Sequence, residues 1–400
     1  MSKKISKMLE HGRFSLQDLN RNKECIRQGA SKSIDHPMST LWFLPIVTHA
    51  LKGGVRTIFH FSEMLSIKYG TTNIFVIYSF NGRDFDTNEL SKSLRENFPK
   101  LKFVLKKFIR GINSIEELPR VQIAFCTLWT TAYLLLRYNK TYRKYYFMQD
   151  FEPMFYEGGD LYVIIEQTYR FGFSVIANTE GVAQKARQYT DRVVYFTPGV
   201  DRETFFPMAR KKDRTYKQIV FYGRPNPRNC FKLGLSILTD VKKELGSDIR
   251  ICSVGADWSP KDYGLDGIVD NLGLLPTMSA VANLYRNSDM GLVFMATPHP
   301  SYQPLEYMAS GCVVATNINE GTSWLLNETN SLLLEPNPWI AAERILSTLS
   351  DEDSMQRLRN NGLRTASKLH WPNAFGVFEH AILNSEELSS PNLSIRHCST

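Results

Sequence analysis

Arg224 and Arg228 stand in the run Tyr222-Gly223-Arg224-Pro225-Asn226-Pro227-Arg228-Asn229, directly after an apolar stretch at 219–222. Two permanently charged guanidinium forks in a Gly/Pro-rich loop can grip a diphosphate bidentately. They would also neutralise a leaving group that departs with extra negative charge. Downstream, Pro298-His299-Pro300-Ser301-Tyr302-Gln303-Pro304-Leu305-Glu306-Tyr307-Met308-Ala309-Ser310-Gly311 places Pro304 where a helix starts and Gly311 where it stops. The loop 298–303 then delivers backbone N–H groups toward an anion. Glu306 falls in the first turn, where an acid can complement the helix dipole or accept hydrogen bonds from a pentose; the pentose clamp is the preferred reading.

The first half offers weaker signals. In Lys52-Gly53-Gly54-Val55-Arg56, glycines let the backbone approach a bulky ligand, and the helix that follows favours a phosphate at its N-terminus. Phe147-Met148-Gln149-Asp150-Phe151-Glu152 follows a strand pattern, so Asp150 and Glu152 are either strand-end caps or acids that orient an acceptor. Asn178-Thr179-Glu180 is a lesser case of the same kind. Asp84-Phe85-Asp86 has the D-x-D form of a metal site, but no further acid cluster or His accompanies it, and it reads as a polar turn.

The elements that must position these residues alternate in type. Apolar runs of strand length at 41–47, 74–78, 121–126, 145–148, 175–177 and 193–196 are separated by helical patterns, the signature of a parallel sheet built from βαβ units. A polar, basic stretch at 208–217 interrupts the rhythm. A second series follows at 219–222, 249–254, 290–294 and 313–315. The reading is α/β, with two Rossmann-like domains at 1–207 and 208–370, a helix at 371–388 that suits either domain, and a frayed tail at 389–400. In open parallel sheets ligands bind beyond the carboxyl ends of the strands, where the loops above fall.

With 400 residues the chain exceeds the usual size of one core, and 43% hydrophobic content suits packed domains. The net charge of +8 admits nucleic acid, an anionic membrane or a phosphorylated ligand as partner. Part of the excess is local, at Lys100, Lys102, Lys106, Lys107 and Arg110, then at Arg137, Lys140, Arg143 and Lys144. Cys25, Cys126, Cys230, Cys252, Cys312 and Cys398 show no C-x-x-C pair and read as buried thiols of a reducing cytosol. The N-terminus lacks a signal-peptide core, and no apolar run reaches the ~18 residues of a spanning helix. A cytoplasmic protein is expected, with any membrane association at the inner face and peripheral.

Taken together, the Gly-Gly-Val loop, Pro198-Gly199-Val200-Asp201, the Gly-Arg loop, Leu284-Tyr285-Arg286-Asn287-Ser288-Asp289-Met290 and Pro-Leu-Glu-x-Met-Ala-x-Gly resemble glycosyltransferase family four. The resemblance runs from about residue 40 to 385. It implies the GT-B fold, two Rossmann-like domains facing across a cleft, and retaining, metal-independent transfer with no cofactor beyond the nucleotide sugar. The forms Gly-Arg-Pro-x-x-x-Arg-Asn and His-Pro-Ser-Tyr-x-Pro-Leu-Glu look most like bacterial rhamnosyltransferases that use dTDP-rhamnose to build surface polysaccharide, an S-layer glycan or O-antigen. The resemblance puts Arg224 and Arg228 on the diphosphate, Glu306 on the ribose or deoxyribose, and the backbone of Ser301 and Tyr302 on the distal phosphate. Gly54, Val55, Gly255 and Leu275 complete the donor site. Asp150, Glu152 and His299 fall at the catalytic position. The family usually carries two glutamates eight positions apart, and here the first is Pro298, so His299 or a first-domain residue contacts the sugar. The acceptor is expected to be a glycan or lipid-linked glycan. A nucleotide-sugar epimerase of the same fold is the nearest rival, and a basic nucleic-acid-binding protein a more distant one, lacking helix-turn-helix, zinc-finger or RNP-type signatures.

Overall fold

The computed structural model describes residues 3–51, 53–208 and 214–384. Lys52, Cys398, the tail at 389–400, the end of the expected final helix beyond 384 and linker residues 209–213 lie outside the described residues. The chain divides into two compact units, one of Met1–Phe196 with Ala374–Thr400, the other Thr197–Asn373.

The first unit opens with two helices, α1 (Lys3–His11) and α2 (Leu16–Ala30), which the apolar pattern did not announce. The capping box of Ser15 and Asp18 fixes the start of α2, because each satisfies an amide of the other's residue. There follow β1 (Ser39–Pro45), α3 (Val55–Tyr69), β2 (Thr72–Ser79), α4 (Asn88–Asn97), β3 (Phe103–Ile109), β4 (Ile123–Cys126), α5 (Trp129–Arg137), β5 (Arg143–Met148), α6 (Asp160–Gln167), β6 (Ser174–Asn178), α7 (Glu180–Ala186) and β7 (Val193–Phe196). The strands form one parallel sheet in the order β3-β2-β1-β4-β5-β6-β7, so the order reverses between β1 and β4. Both faces are covered, which is why β1 reads Leu-Trp-Phe-Leu without polar alternation. Trp42 stacks on Phe125 of the neighbouring strand with centroids 3.8 Å apart.

The second unit carries β8 (Lys217–Tyr222), α8 (Phe231–Leu245), β9 (Ile249–Val254), the short β10 (Asp270–Asn271), α9 (Met278–Arg286), β11 (Met290–Val293), α10 (Gln303–Ala309), β12 (Val313–Asn317), β13 (Ser331–Leu334), α11 (Pro338–Ser350) and α12 (Glu352–Ala366). Its parallel sheet runs β10-β9-β8-β11-β12-β13 and reverses order between β8 and β11. The last helix, α13 (Trp371–Leu383), starts in this unit, and its residues from Ala374 belong to the first. There Phe378 lies 4.8 Å from the Phe61 ring and 5.9 Å from Phe125.

The unit boundary falls at Phe196, ahead of the expected 207, for a local reason. Val200 donates its N–H to the Leu369 carbonyl at 3.2 Å, and a Cβ on Gly199 would come within 2.3 Å of the Trp371 nitrogen. The Pro-Gly-Val-Asp turn is thus packed into the second unit.

The basic segments also differ from expectation. Residues 103–109 form the edge strand β3, and Lys107 pairs with Asp84 at 2.6 Å. Lysines on an edge strand guard against strand-to-strand aggregation, whatever else they do. Arg143 and Lys144 are not surface charges at all. Arg143 donates to the carbonyls of Ile382, Leu383 and Lys32. Lys144 is surrounded by Asn22 Oδ1, Asn139 Oδ1 and the carbonyls of Leu135 and Leu136, at 2.8 to 3.4 Å. Buried in this way, Arg143 and Lys144 cannot face an anionic lipid surface, whereas Arg137 and Lys140 are half-buried. Among the described residues no helix is long and apolar enough to cross a membrane. Cys25, Cys126, Cys252 and Cys312 are buried free thiols, whereas Cys230 is half-buried at the start of α8.

His11 pins α1 to the sheet layer. Its Nε2 bonds the Thr130 carbonyl at 2.6 Å, and the Tyr78 hydroxyl lies 3.2 Å from Nδ1. Burial pushes the imidazole down to about 4. Between pH 6.5 and 4 the unfolded chain therefore binds a proton that the native chain refuses, so this group's contribution is complete above pH 6.5 and is lost as pH falls through that window. The full effect is about 3 kcal/mol. Urea unfolding of the wild type and His11→Gln across this range should show a shallower acid decline in the variant; equal slopes would contradict the assignment.

Candidate functional site

In the second unit the residues singled out from sequence gather at the carboxyl ends of the strands on either side of the reversal point. A strand order that reverses leaves the flanking loops diverging to opposite faces, and a crevice between them. The loop after β8 is held by its neighbours. Gly223 donates its N–H to Val254 at 3.0 Å and accepts from Trp258 Nε1 at 3.0 Å. A Cβ on Gly223 would meet Ser253 Oγ at 2.1 Å, so only glycine lets β8 and β9 end side by side. That Ser253 hydroxyl is buried without a protein partner among the described residues.

Arg224 is exposed, lies over the Tyr222 ring and donates to its hydroxyl at 3.2 Å. Tyr222 in turn fills the space beside Gly255, whose φ of 108° and 2.7 Å clearance to the ring exclude a side chain. Gly255 bonds Gly273 at 3.0 Å, which brings the 272–275 turn alongside. Leu275 packs into the core beneath, while Leu274 is 61% exposed. Arg228 sits in a single 3-10 turn that Asn226 caps, and its carbonyl accepts the Ala296 N–H at 2.8 Å. The loops after β8 and β11 are thereby joined.

His299 lies beyond β11. Its Nδ1 accepts the Ser301 N–H at 2.8 Å, and the Tyr302 ring meets it edge-on at 5.7 Å. Burial, with the Arg228 cation close by, pushes this imidazole down to about 3. The expectation that the Ser301 amide faces a phosphate is corrected by that bond, since the N–H is already donated. Glu306 is buried, in α10, and its backbone N–H bonds the Tyr302 carbonyl at 3.1 Å. Arg224, Arg228, His299 and Gly255 thus share one region, with Glu306 on the helix that follows it.

The first unit gathers a separate set at its own carboxyl ends. Gly54 caps α3 and Val55 begins it. Gln149, after β5, lays its carboxamide against Gly54: a Cβ there would stand 1.8 Å from Oε1. That oxygen is buried without a partner among the described residues. Sequence reasoning passed over Gln149, although the paired glycines were the sign that something approaches them. Thr179 is fully buried with φ 102°, a strained conformation for a branched residue, and its hydroxyl has no partner among the described residues.

The two acids part company. Asp150 accepts the Phe151 N–H at 2.8 Å. Glu152 accepts the Trp129 N–H at 2.6 Å through Oε2 and the Tyr146 hydroxyl at 3.2 Å through Oε1, so one oxygen caps the start of α5 and the other bonds β5. The geometry of Glu152 is that of a helix cap and not of an acid turned toward a substrate. Asp84 is paired with Lys107, and Asp86 accepts the Asn88 N–H at 3.0 Å. Among the described residues no group of three His, Cys, Asp or Glu side chains is placed to hold a metal ion.

Comparison with known proteins fits this geometry. Residues 217–345 match the family described as WsaF, C-terminal domain. Over 334 residues the chain is 36% identical to the O-antigen biosynthesis protein RfbC of Myxococcus xanthus, covering 82% of this chain and 26% of that protein. The chain thus spans about a quarter of that relative's length. Among solved structures, Anabaena HepE in complex with UDP and glucose aligns with a TM-score of 0.66 at 14% identity, over 89% of this chain and 100% of that one. Sucrose-phosphate synthase from Thermosynechococcus elongatus aligns with a TM-score of 0.64 at 15% identity, over 85% and 98%. The fold is GT-B: two Rossmann-like domains, each on a parallel sheet.

The two glycines that border the sites should respond differently to a methyl group. Gly255→Ala combines left-handed backbone with a ring at 2.7 Å and should cost about 1–3 kcal/mol in chemical denaturation. Gly54→Ala meets only the tip of flexible Gln149 at an ordinary φ of −66° and should stay within about 0.5 kcal/mol. Equal losses would refute this account of the two close approaches.

Proposed function

We propose that the chain is a glycosyltransferase that moves a sugar from a nucleoside diphosphate to a growing bacterial surface glycan. The observation that carries this is the paired-arginine loop, joined to the His299 loop at the reversal point of the second sheet. The RfbC relative and the WsaF match over the same sheet support a place in O-antigen or related surface-glycan assembly. The neighbour HepE, with UDP and glucose, supports a nucleotide sugar as donor.

In this reading Arg224 and Arg228 hold the diphosphate, Tyr302 lends its backbone to the distal phosphate, Glu306 holds the pentose, and Gly255 and Leu275 flank the base. In the first domain, Gly54 and Val55 are assigned to donor binding and Asp150 to orienting the acceptor hydroxyl. Glu152 supports that loop from below. The departing phosphate can itself take the acceptor's proton, so transfer proceeds with retention and needs neither metal nor a protein nucleophile. Rhamnose carried on dTDP is the donor the loop forms favour, and the acceptor is a lipid-linked or free glycan at the inner face of the membrane. The lysines of residues 100–110 are the remaining candidates for contact with anionic lipid.

Negative charge accumulates on the diphosphate as the glycosidic bond breaks, so a guanidinium aimed at it stabilises the transition state more than the ground state. Arg224→Ala and Arg228→Ala should each lower kcat by roughly 10²–10³. Glu306→Gln should mainly raise the donor KM, because the charge on a pentose hydroxyl hardly changes. Steady-state kinetics with dTDP-rhamnose and an oligosaccharide acceptor decide it. Arginine variants with full kcat, beside a Glu306→Gln variant with lost kcat and unchanged KM, would overturn the assignment.

A further inference from the structure

A loop that cradles a phosphate is expected to turn its amides toward the ligand, yet the Ser301 N–H is donated to His299 Nδ1 at 2.8 Å. Ser301 reaches this position only by adopting φ 68°, left-handed backbone that disfavours a residue with a Cβ. The bond fixes the ring. Burial and the nearby Arg228 keep the imidazole neutral. With Nδ1 acting as acceptor, its single proton stands on Nε2. That nitrogen is buried without a protein partner among the described residues, on a side chain only 8% exposed. A buried N–H with nothing to bond is costly, and is retained where a ligand supplies the acceptor.

We propose that His299 relays the Ser301 amide, giving its Nε2–H to a non-bridging phosphate oxygen of the donor's diphosphate. The inference rests on the glycosyltransferase reading of this site. An anionic oxygen is the atom that satisfies both a neutral N–H and the Arg228 cation beside it, since it carries several lone pairs and its charge is welcome there. The same tautomer excludes His299 as a base: Nδ1 is occupied, and Nε2 has no lone pair to take a proton. His299 is then a binding residue that reads the diphosphate, where the sequence placed it at the catalytic position.

The test is calorimetric titration of the full chain with UDP, dTDP, GDP and ADP and with their nucleosides and sugar conjugates, for the wild type, His299→Phe and His299→Gln. Phenylalanine fills the same space without a donor and should weaken the diphosphate that the wild type prefers by roughly 10- to 100-fold, leaving nucleoside binding unchanged. Glutamine restores an N–H at similar reach and should recover most of the loss. Nitrogen-15 spectra of the wild-type imidazole should show a protonated Nε2 and bare Nδ1, with the Nε2 proton shifting when the diphosphate is added. A folded His299→Phe protein that binds the diphosphate as tightly as the wild type overturns the inference alone. So does a loss confined to the sugar conjugate, which would place Nε2–H on a sugar hydroxyl. Should the phenylalanine variant fail to fold, a wild-type ring protonated on Nδ1, or on both nitrogens, overturns it equally. A wild type that binds none of the nucleotides removes the glycosyltransferase reading and this inference with it.

Discussion

The 2.8 Å hydrogen bond from the Ala296 N–H to the Arg228 carbonyl ties together the two loops that the second sheet sends in opposite directions. Parallel strands end without hairpins, so nothing in the sheet itself fixes where their outgoing loops lie. This bond does so for the pair that flanks the reversal point. Asn229 adds a second link through Met295 Sδ at 3.2 Å, and Asn317, at the end of β12, accepts and donates to Met295 at 2.9 and 3.0 Å. The Arg228 side chain and the His299 ring are near each other because their backbones are joined in this way. Charge and donor are then preorganised, which is what a site for developing negative charge requires.

The first unit invests its buried polar groups differently. Glu152 caps α5, Lys144 gathers oxygens from α2 and α5, and Arg143 holds the carbonyls at the end of α13. These groups fasten helices to the sheet. Two groups at the carboxyl ends, the Gln149 oxygen and the Thr179 hydroxyl, are buried without partners among the described residues, beside a glycine in one case and on strained backbone in the other. Unpartnered buried atoms also occur away from the strand ends, at Ser62 Oγ and Arg143 Nε, but those at Gln149 and Thr179 stand where open parallel sheets bind their ligands.

Much of the fold was legible from sequence because parallel strands, buried on both faces, read as unbroken apolar runs such as residues 41–44 of β1, 145–148 of β5 and 219–222 of β8. The segment 103–109 was not, since an edge strand carries lysines where a central one carries valine and leucine. Helices α1 and α2 escaped because their exposed faces dominate the composition. In the site, the arginines, glycines and Glu306 were recognisable from residue type and position. Partnership was not: that Glu152 divides its oxygens between α5 and β5, and that Ser301 gives its amide to His299, depends on distances that spacing does not encode. Gln149 was missed for a related reason, as an amide side chain has no charge to draw attention and its meaning comes from lying against Gly54.

Hydrogen–deuterium exchange with and without UDP, dTDP, GDP and ADP tests the central claim most directly, because it asks where a nucleotide lands without assuming a reaction. The account predicts that the nucleotide the protein binds protects residues 222–230, 253–256 and 298–306 of the second unit, around the joined loops. Protection confined to the amino ends of the strands, such as the roughly charge-balanced groove of about 1020 Å³ lined by Arg21, Glu24, Arg120 and Arg137, would contradict it.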